Sequence, residues 1–260
     1  MKIGFIGTGN MGSAIAIGVS KNVKCDLYLA NRTIKKAEVL KDMIGGIVCD
    51  NNTVAKECDL IYLCVEPQQA EDVLKGIKQD IENNKNAVLV SVMTAWTIER
   101  IRKYVDIPII RTMPNTPLKI NEGIILYDYS DDVNEEKLNL FLETTKGTGL
   151  VVKLDEEYID AASVVSGCAP AYTFMFADSL VSGVEKLGIQ KEIATKLAAQ
   201  MLIGSGKMIL ETGEDPNKLK EDVCSPGGCT IEGIKIMENN NLKQIIEGVV
   251  KASYEKNKKL

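Results

Sequence analysis

The 260-residue sequence predicts an α/β fold: a doubly wound, mainly parallel sheet over residues 1–154, followed by an all-helical domain over residues 155–260. Three observations carry that expectation. Short β-branched runs alternate with helix-period segments through the first half, a Gly-x-Gly-x-x-Gly directly follows the first of those runs, and strand patterning stops after Leu154.

Taken in order, Lys2–Ile6, Asp26–Ala30, Leu60–Val65, Ala87–Val92 and Ile107–Met113 read as strands bounded by Gly, Asn, Asp or Pro. Met11–Ser20, Ile34–Met43 and Ala70–Ile81 between them have helical spacing, and this alternation implies helices on both faces of a parallel sheet. Gly123–Tyr127 and Leu150–Leu154 are two further strands, flanking a helix near Glu135–Thr145. Beyond them Glu156–Gly183, Lys191–Thr212 and Leu242–Lys256 are helical. In the last, Leu242, Ile245, Ile246, Val249, Val250 and Ser253 follow the i, i+3, i+4, i+7 stripe of an amphipathic helix.

Composition narrows the chemistry. The chain contains no histidine, which removes the Ser-His-Asp triad, the Cys-His dyad and any His-ligated metal site. With 31 basic against 36 acidic side chains it lacks the electrostatic footprint of a nucleic-acid binder. Seven cysteines without a CxxC pair read as reduced thiols of a cytoplasmic protein. Residues 3–20 are uncharged, but five glycines break them too often for a membrane helix, so no membrane partner is expected.

Gly7-Thr8-Gly9-Asn10-Met11-Gly12 lies between a strand and a helix, as a Rossmann-type dinucleotide site requires. The first glycine permits the tight turn, the second admits a pyrophosphate to the backbone, and the third lets helix and strand pack closely. An NAD site usually carries an acidic residue about 20 positions further on to hold the ribose hydroxyls. Asn31-Arg32-Thr33 stands there instead, so NADPH is expected, with NADH a weaker donor. An exposed arginine in a surface turn is the competing interpretation of Arg32.

Cys224-Ser225-Pro226-Gly227-Gly228-Cys229-Thr230-Ile231-Glu232-Gly233 is the second informative stretch. Proline followed by two glycines forces a turn, and Thr230 is placed to cap the helix after it. Such a loop offers backbone amides to a carboxylate, although an ordinary capped turn accounts for the same residues.

This loop resembles the signature of the pyrroline-5-carboxylate reductases, which form proline from its cyclic imine. Arg111-Thr112-Met113-Pro114-Asn115-Thr116-Pro117 and Ser166-Gly167-Cys168-Ala169-Pro170-Ala171-Tyr172 match that family too, and Val65-Glu66-Pro67-Gln68 more loosely. The resemblance implies a helical dimerisation domain and a substrate site at the dimer interface of a homodimer or higher oligomer. It implies that Ser225, Gly227, Gly228, Cys229 and Thr230 hold the substrate, with the Thr230 hydroxyl, the catalytic group, facing the ring nitrogen. Val65, Pro67, Met113, Pro114, Asn115 and Pro170 would join Gly7, Gly9, Asn10, Met11, Gly12, Asn31 and Arg32 around the cofactor.

A protonated cyclic imine arrives as a ready electrophile. Its reduction needs proximity and a water-poor site more than a strong acid, which a histidine-free chain can supply. The chain departs from the family pattern at Glu66, where lysine is usual, at Ala95-Trp96, where a glycine is typical, and at Cys168-Ala169. These departures motivate two rivals: a reductase of a six-membered piperideine carboxylate, and a non-catalytic NADP-binding paralogue. Trp96 is expected to pack in the core or at the surface, with stacking near the nicotinamide the alternative, and Cys168 to be a buried structural thiol. Core packing is expected for Tyr172, Phe174 and Phe176, and solvation for Asp178 and Glu185.

Overall fold

A computed structural model describes residues 1–259. One sheet of eight strands runs through the first part of the chain, in the order β3-β2-β1-β4-β5-β6-β7-β8. Its strands are β1 (Lys2–Ile6), β2 (Asp26–Ala30), β3 (Ile47–Val48), β4 (Leu60–Leu63), β5 (Val88–Ser91), β6 (Ile109–Pro114), β7 (Gly123–Tyr129) and β8 (Gly149–Lys153). All neighbours are parallel except β6 and β7. The first six strands thus follow the doubly wound order 3-2-1-4-5-6, with the switch point between β1 and β4.

Alternation along the strands builds a core on each face. Ile3 and Phe5 of β1 face a cluster that includes Ile15 and Val19 of α1 (Asn10–Asn22) and Phe141 of α6 (Glu135–Thr145). Ile6 faces the other cluster, with α3 (Asn51–Glu57), α4 (Ala70–Asn83) and α5 (Ile98–Arg102). Gly4 marks how tightly that second layer packs: a Cβ there would sit 2.3 Å from Val54 Cγ1. The helix α2 (Ile34–Ile44) ends at Gly45, and Gly45 and Gly46 both take positive φ to turn into β3.

Among the short elements that escape the sequence pattern, β3, α3 and α5 span two, seven and five residues, too few to show a period. α3 and α5 are instead defined by their caps, Asp50 accepting from Thr53 N at 2.7 Å and Thr97 from Arg100 N at 3.1 Å.

The predicted helix over 156–183 is interrupted. α7 (Glu156–Ser163) passes into a π-helical turn at Val164–Cys168 before α8 (Ala169–Glu185). The cause is local: the carbonyl of Ser166 would accept from the amide of residue 170 in an α-helix, and residue 170 is proline. Asn115 Nδ2 donates to that carbonyl instead, at 2.8 Å.

The chain forms two compact units, one comprising Met1–Gly167 and the residues from Tyr254 on, the other Cys168–Ser253. The second contains α8, α9 (Lys191–Thr212), α10 (Pro216–Asp222), α11 (Cys229–Asn239) and most of α12 (Leu242–Asn257). Its buried apolar residues are only Val181, Ala194 and Ala198, where α8 meets α9. Phe174 and Phe176 are exposed at 69% and 40%, which corrects the expectation that they pack in a core. Tyr172 is half-buried, its hydroxyl 2.5 Å from Ser253 Oγ, and Cys168 is exposed rather than buried. The shared reason is that these helices leave most of their apolar surface uncovered within one chain. Trp96 is buried, and Asp178 and Glu185 are exposed.

Candidate active site

The glycine loop is shaped by contacts that only glycine tolerates at two of its positions. Gly7 has φ +99°, and a Cβ there would lie 2.4 Å from the carbonyl oxygen of Cys64; one on Gly12 would lie 2.0 Å from that of Gly7. Around Gly9, by contrast, there is nothing within 4 Å, so space for a ligand opens at the N-terminus of α1. Gly9 is the N-cap, no side chain caps the helix and no acidic residue occupies its first turn. The thirteen-residue helix therefore offers its amide end to an anion.

Asn31 fixes the loop from the next strand. Its Oδ1 accepts from Thr8 N and its Nδ2 donates to Thr33 O, both at 3.0 Å. Gly7, Gly9, Asn31, Arg32 and Val65 line one open cleft of about 810 Å³. Asn10, Met11 and Gly12 form the first turn of α1 beside it, and Pro67 opens the 3₁₀ turn after β4. Arg32 is exposed and makes no ion pair among the described residues. The cleft also holds Lys36, which the sequence analysis missed. A lysine in the first turn of a helix opposes the helix dipole, and that misplaced charge was the available signal. Two exposed cations without an ion pair among the described residues, beside an uncapped helix end and an unfilled glycine, fit a dinucleotide that carries a 2′-phosphate.

Acidic groups share the cleft. Asp50 lies there with its carboxyl pKa lowered by the amide of Thr53, and Glu66 and Asp72 stand on the β4 side. Two thiols line it as well: burial pushes both Cys49 and Cys64 above the ordinary cysteine range, so neither is a ready nucleophile.

At the end of β6, Met113 is buried and Asn115 has both amide ends engaged, Oδ1 accepting from Ile124 N at 2.8 Å while Nδ2 serves Ser166.

In the second unit, Ser225–Gly228 is a tight turn closed by Gly228 N donating to Ser225 O at 3.0 Å. Pro226 precedes Gly227, whose φ of +73° is the one a type II turn demands at its third residue. This turn delivers the chain directly into α11, with Gly228 as the N-cap. The expectation that Thr230 caps the helix is thereby corrected: Thr230 is the second residue of α11, and its exposed hydroxyl is not engaged by the cap. No side chain caps this eleven-residue helix, so its first amides are free.

These features define a class first: an NADP-dependent oxidoreductase with a dinucleotide-binding sheet and a helical second unit. The model for NADP oxidoreductase, coenzyme F420-dependent, matches residues 2–95, and that for pyrroline-5-carboxylate reductase dimerisation matches 156–260. The pyrroline-5-carboxylate reductase of Escherichia coli (strain K12) is 34% identical over 265 residues, covering 100% of this chain and 98% of the relative. Pyrroline-5-carboxylate reductase 3 of Danio rerio is 31% identical, covering 100% and 91%. The crystal structure of Plasmodium falciparum pyrroline carboxylate reductase with NADP bound superposes with a TM-score of 0.89 at 29% identity, over 99% of this chain and 97% of that one. The chain belongs to the pyrroline-5-carboxylate reductase family.

Proposed function

We propose that this chain reduces 1-pyrroline-5-carboxylate to L-proline, the last step of proline biosynthesis, in the cytoplasm and as a homodimer or larger homo-oligomer. Bound NADPH would supply the hydride that adds to the imine carbon. The observation that carries the reading is the Ser225–Gly228 turn opening onto an uncapped helix. The free amides of α11 suit the substrate carboxylate, and Ser225, Gly227, Gly228 and Cys229 shape the surface around it. Thr230 lies within the same first turn and is available to hydrogen-bond the ring nitrogen. In the first unit, Gly7, Gly9, Asn10, Met11 and Gly12 take the pyrophosphate, Asn31, Arg32 and Lys36 the adenosine phosphate end, and Val65, Pro67 and Met113–Asn115 the remaining wall.

The oligomer is supported by the apolar surface of the second unit. The helical run Glu156–Glu185 is long and apolar enough to cross a membrane, with 17% of its most apolar window buried. A second copy of the chain gives that surface a cover without lipid, consistent with the dimerisation model that spans it. Buried thiols such as Cys58 suit a reducing compartment, and cell fractionation tests the location.

Replacing Thr230 with alanine tests the substrate assignment. Turnover is expected to fall by about 10- to 100-fold, as for other single hydrogen-bonding groups at a reacting atom, with NADPH affinity within about twofold. Equal loss of both would remove Thr230 from the substrate site.

A further inference from the structure

The loop between β5 and α5 starts beside the wall of the cofactor cleft. Ser91 pairs with Leu63 in register, and Val92 N donates to Leu63 O at 3.2 Å, one residue before Cys64 and Val65 line the cleft. A dinucleotide laid across the switch point, with its adenosine end at Arg32, would extend its other half toward this loop.

The loop is strained and held. Ala95 takes φ +61°, a left-handed conformation that a residue with a Cβ adopts only when its surroundings impose it. Arg100 imposes part of it, with Nη1 donating to Ala95 O at 3.1 Å and the guanidinium 4.2 Å over the Trp96 ring. The Trp96 indole nitrogen is buried with no hydrogen-bond partner in the structure. At the far end, the amide of Ile98 donates to Glu156 Oε1 at 2.8 Å.

Glu156 is itself fixed from two sides. Its backbone amide donates to Asp128 Oδ2 at 2.8 Å, and the same Oε1 accepts from Arg111 Nη1 at 3.4 Å. Arg111 is 1% exposed on the interior strand β6, and its Nη2 donates to Asp160 Oδ1 at 2.5 Å. A buried guanidinium with two carboxylates is an expensive way to join a helix to a sheet, and an apolar pair would serve equally well for stability alone. What an apolar pair would lack is an oriented acceptor for Ile98 N.

We infer that Glu156, oriented by Arg111, is a positioning residue for the reductase: it holds the Val92–Thr97 loop in place against the hydride-donating end of the cofactor. The inference rests on the cofactor orientation given above. Asp160 shares the arginine without touching the loop, which makes it an internal control.

Trp96 is the only tryptophan in the chain and lies in the loop, so its fluorescence reports on the tether without any catalysis. Acrylamide quenching of the full-length protein is compared with steady-state rates on 1-pyrroline-5-carboxylate and NADPH for wild type, E156A, E156Q, D160N and I98P. Ile98 is the first residue of α5, where proline is tolerated, and Thr97 before it is already extended at φ −70°, ψ 160°. I98P therefore deletes the donor and leaves the buried charges intact, even where E156A fails to fold.

E156A and I98P are expected to raise the quenching constant at least twofold and to lower kcat about tenfold, with KM for NADPH within twofold. E156Q keeps an acceptor and should restore both to within twofold of wild type. D160N should lower the melting temperature while leaving quenching and kcat near wild type. Unchanged quenching in I98P, or D160N moving quenching and kcat in step with E156A, would overturn the inference. A wild type that binds NADPH and fails to turn over the imine would overturn the proposed activity instead, and the quenching series would still decide the tether.

Discussion

Arg32 and Lys36 give the cleft its positive charge, while Asp50, Glu66 and Asp72 line the same cleft with carboxylates. Arg32 has no acidic partner among the described residues, which supports the proposal that its guanidinium takes a 2′-phosphate. A charge-assisted bond of this kind is worth about 1.5–3 kcal/mol, or roughly 10- to 100-fold in affinity. Arg32→Ala should weaken NADPH binding by that factor and leave NADH within about twofold, as measured by nucleotide fluorescence titration. Equal losses for both nucleotides would mean that Arg32 supports the cleft without reading the phosphate. That Arg32 belongs to the cleft was legible because no acidic residue stands where one is usual; the phosphate it would read is a proposal. Asn31 was legible only as a site residue. Its bridge from Thr8 N to Thr33 O, which shapes the loop it borders, depends on β1 and β2 lying side by side and has no signature in the sequence.

At the scale of elements, the long strands and helices followed from periodicity, with ends displaced by a residue or two. The strand expected at Leu60–Val65 stops at Leu63, and the next, expected at Ala87–Val92, occupies Val88–Ser91. The elements that sequence analysis missed are those too short for a period, and those determined by a distant partner. The π-helical turn is the clearest of the latter. Pro170 announces that one carbonyl must go without its helical donor, but that Asn115 supplies the replacement is visible only once β6 and α7 are packed together. The Ser225–Gly228 turn shows the opposite balance. Its type follows from Pro226-Gly227, yet by closing onto Gly228 it starts the helix two residues earlier than a threonine cap would. That shift moves Thr230 from a structural role into the exposed first turn.

For the whole molecule, the contrast between the two units is the main physical fact. The first buries two clusters on either face of its sheet, while the second leaves Leu187, Leu197 and Leu210 exposed at 81%, 61% and 76%. Each fully buried leucine gains about 1.5–3 kcal/mol over an exposed one, which supports the proposed homo-oligomer. Sedimentation equilibrium at micromolar concentration should give a mass of at least two chains of 28.4 kDa, and a stable species of one chain would contradict the proposed oligomer.

Reduction of the cyclic imine is open to an initial-rate assay. The full-length protein is supplied with 1-pyrroline-5-carboxylate and either NADPH or NADH, and cofactor oxidation is followed by absorbance. Rapid oxidation of NADPH, slower oxidation of NADH and formation of L-proline in equal amount are the predicted result. Tight NADPH binding without oxidation would contradict the account and return the chain to the non-catalytic reading that Glu66 suggested.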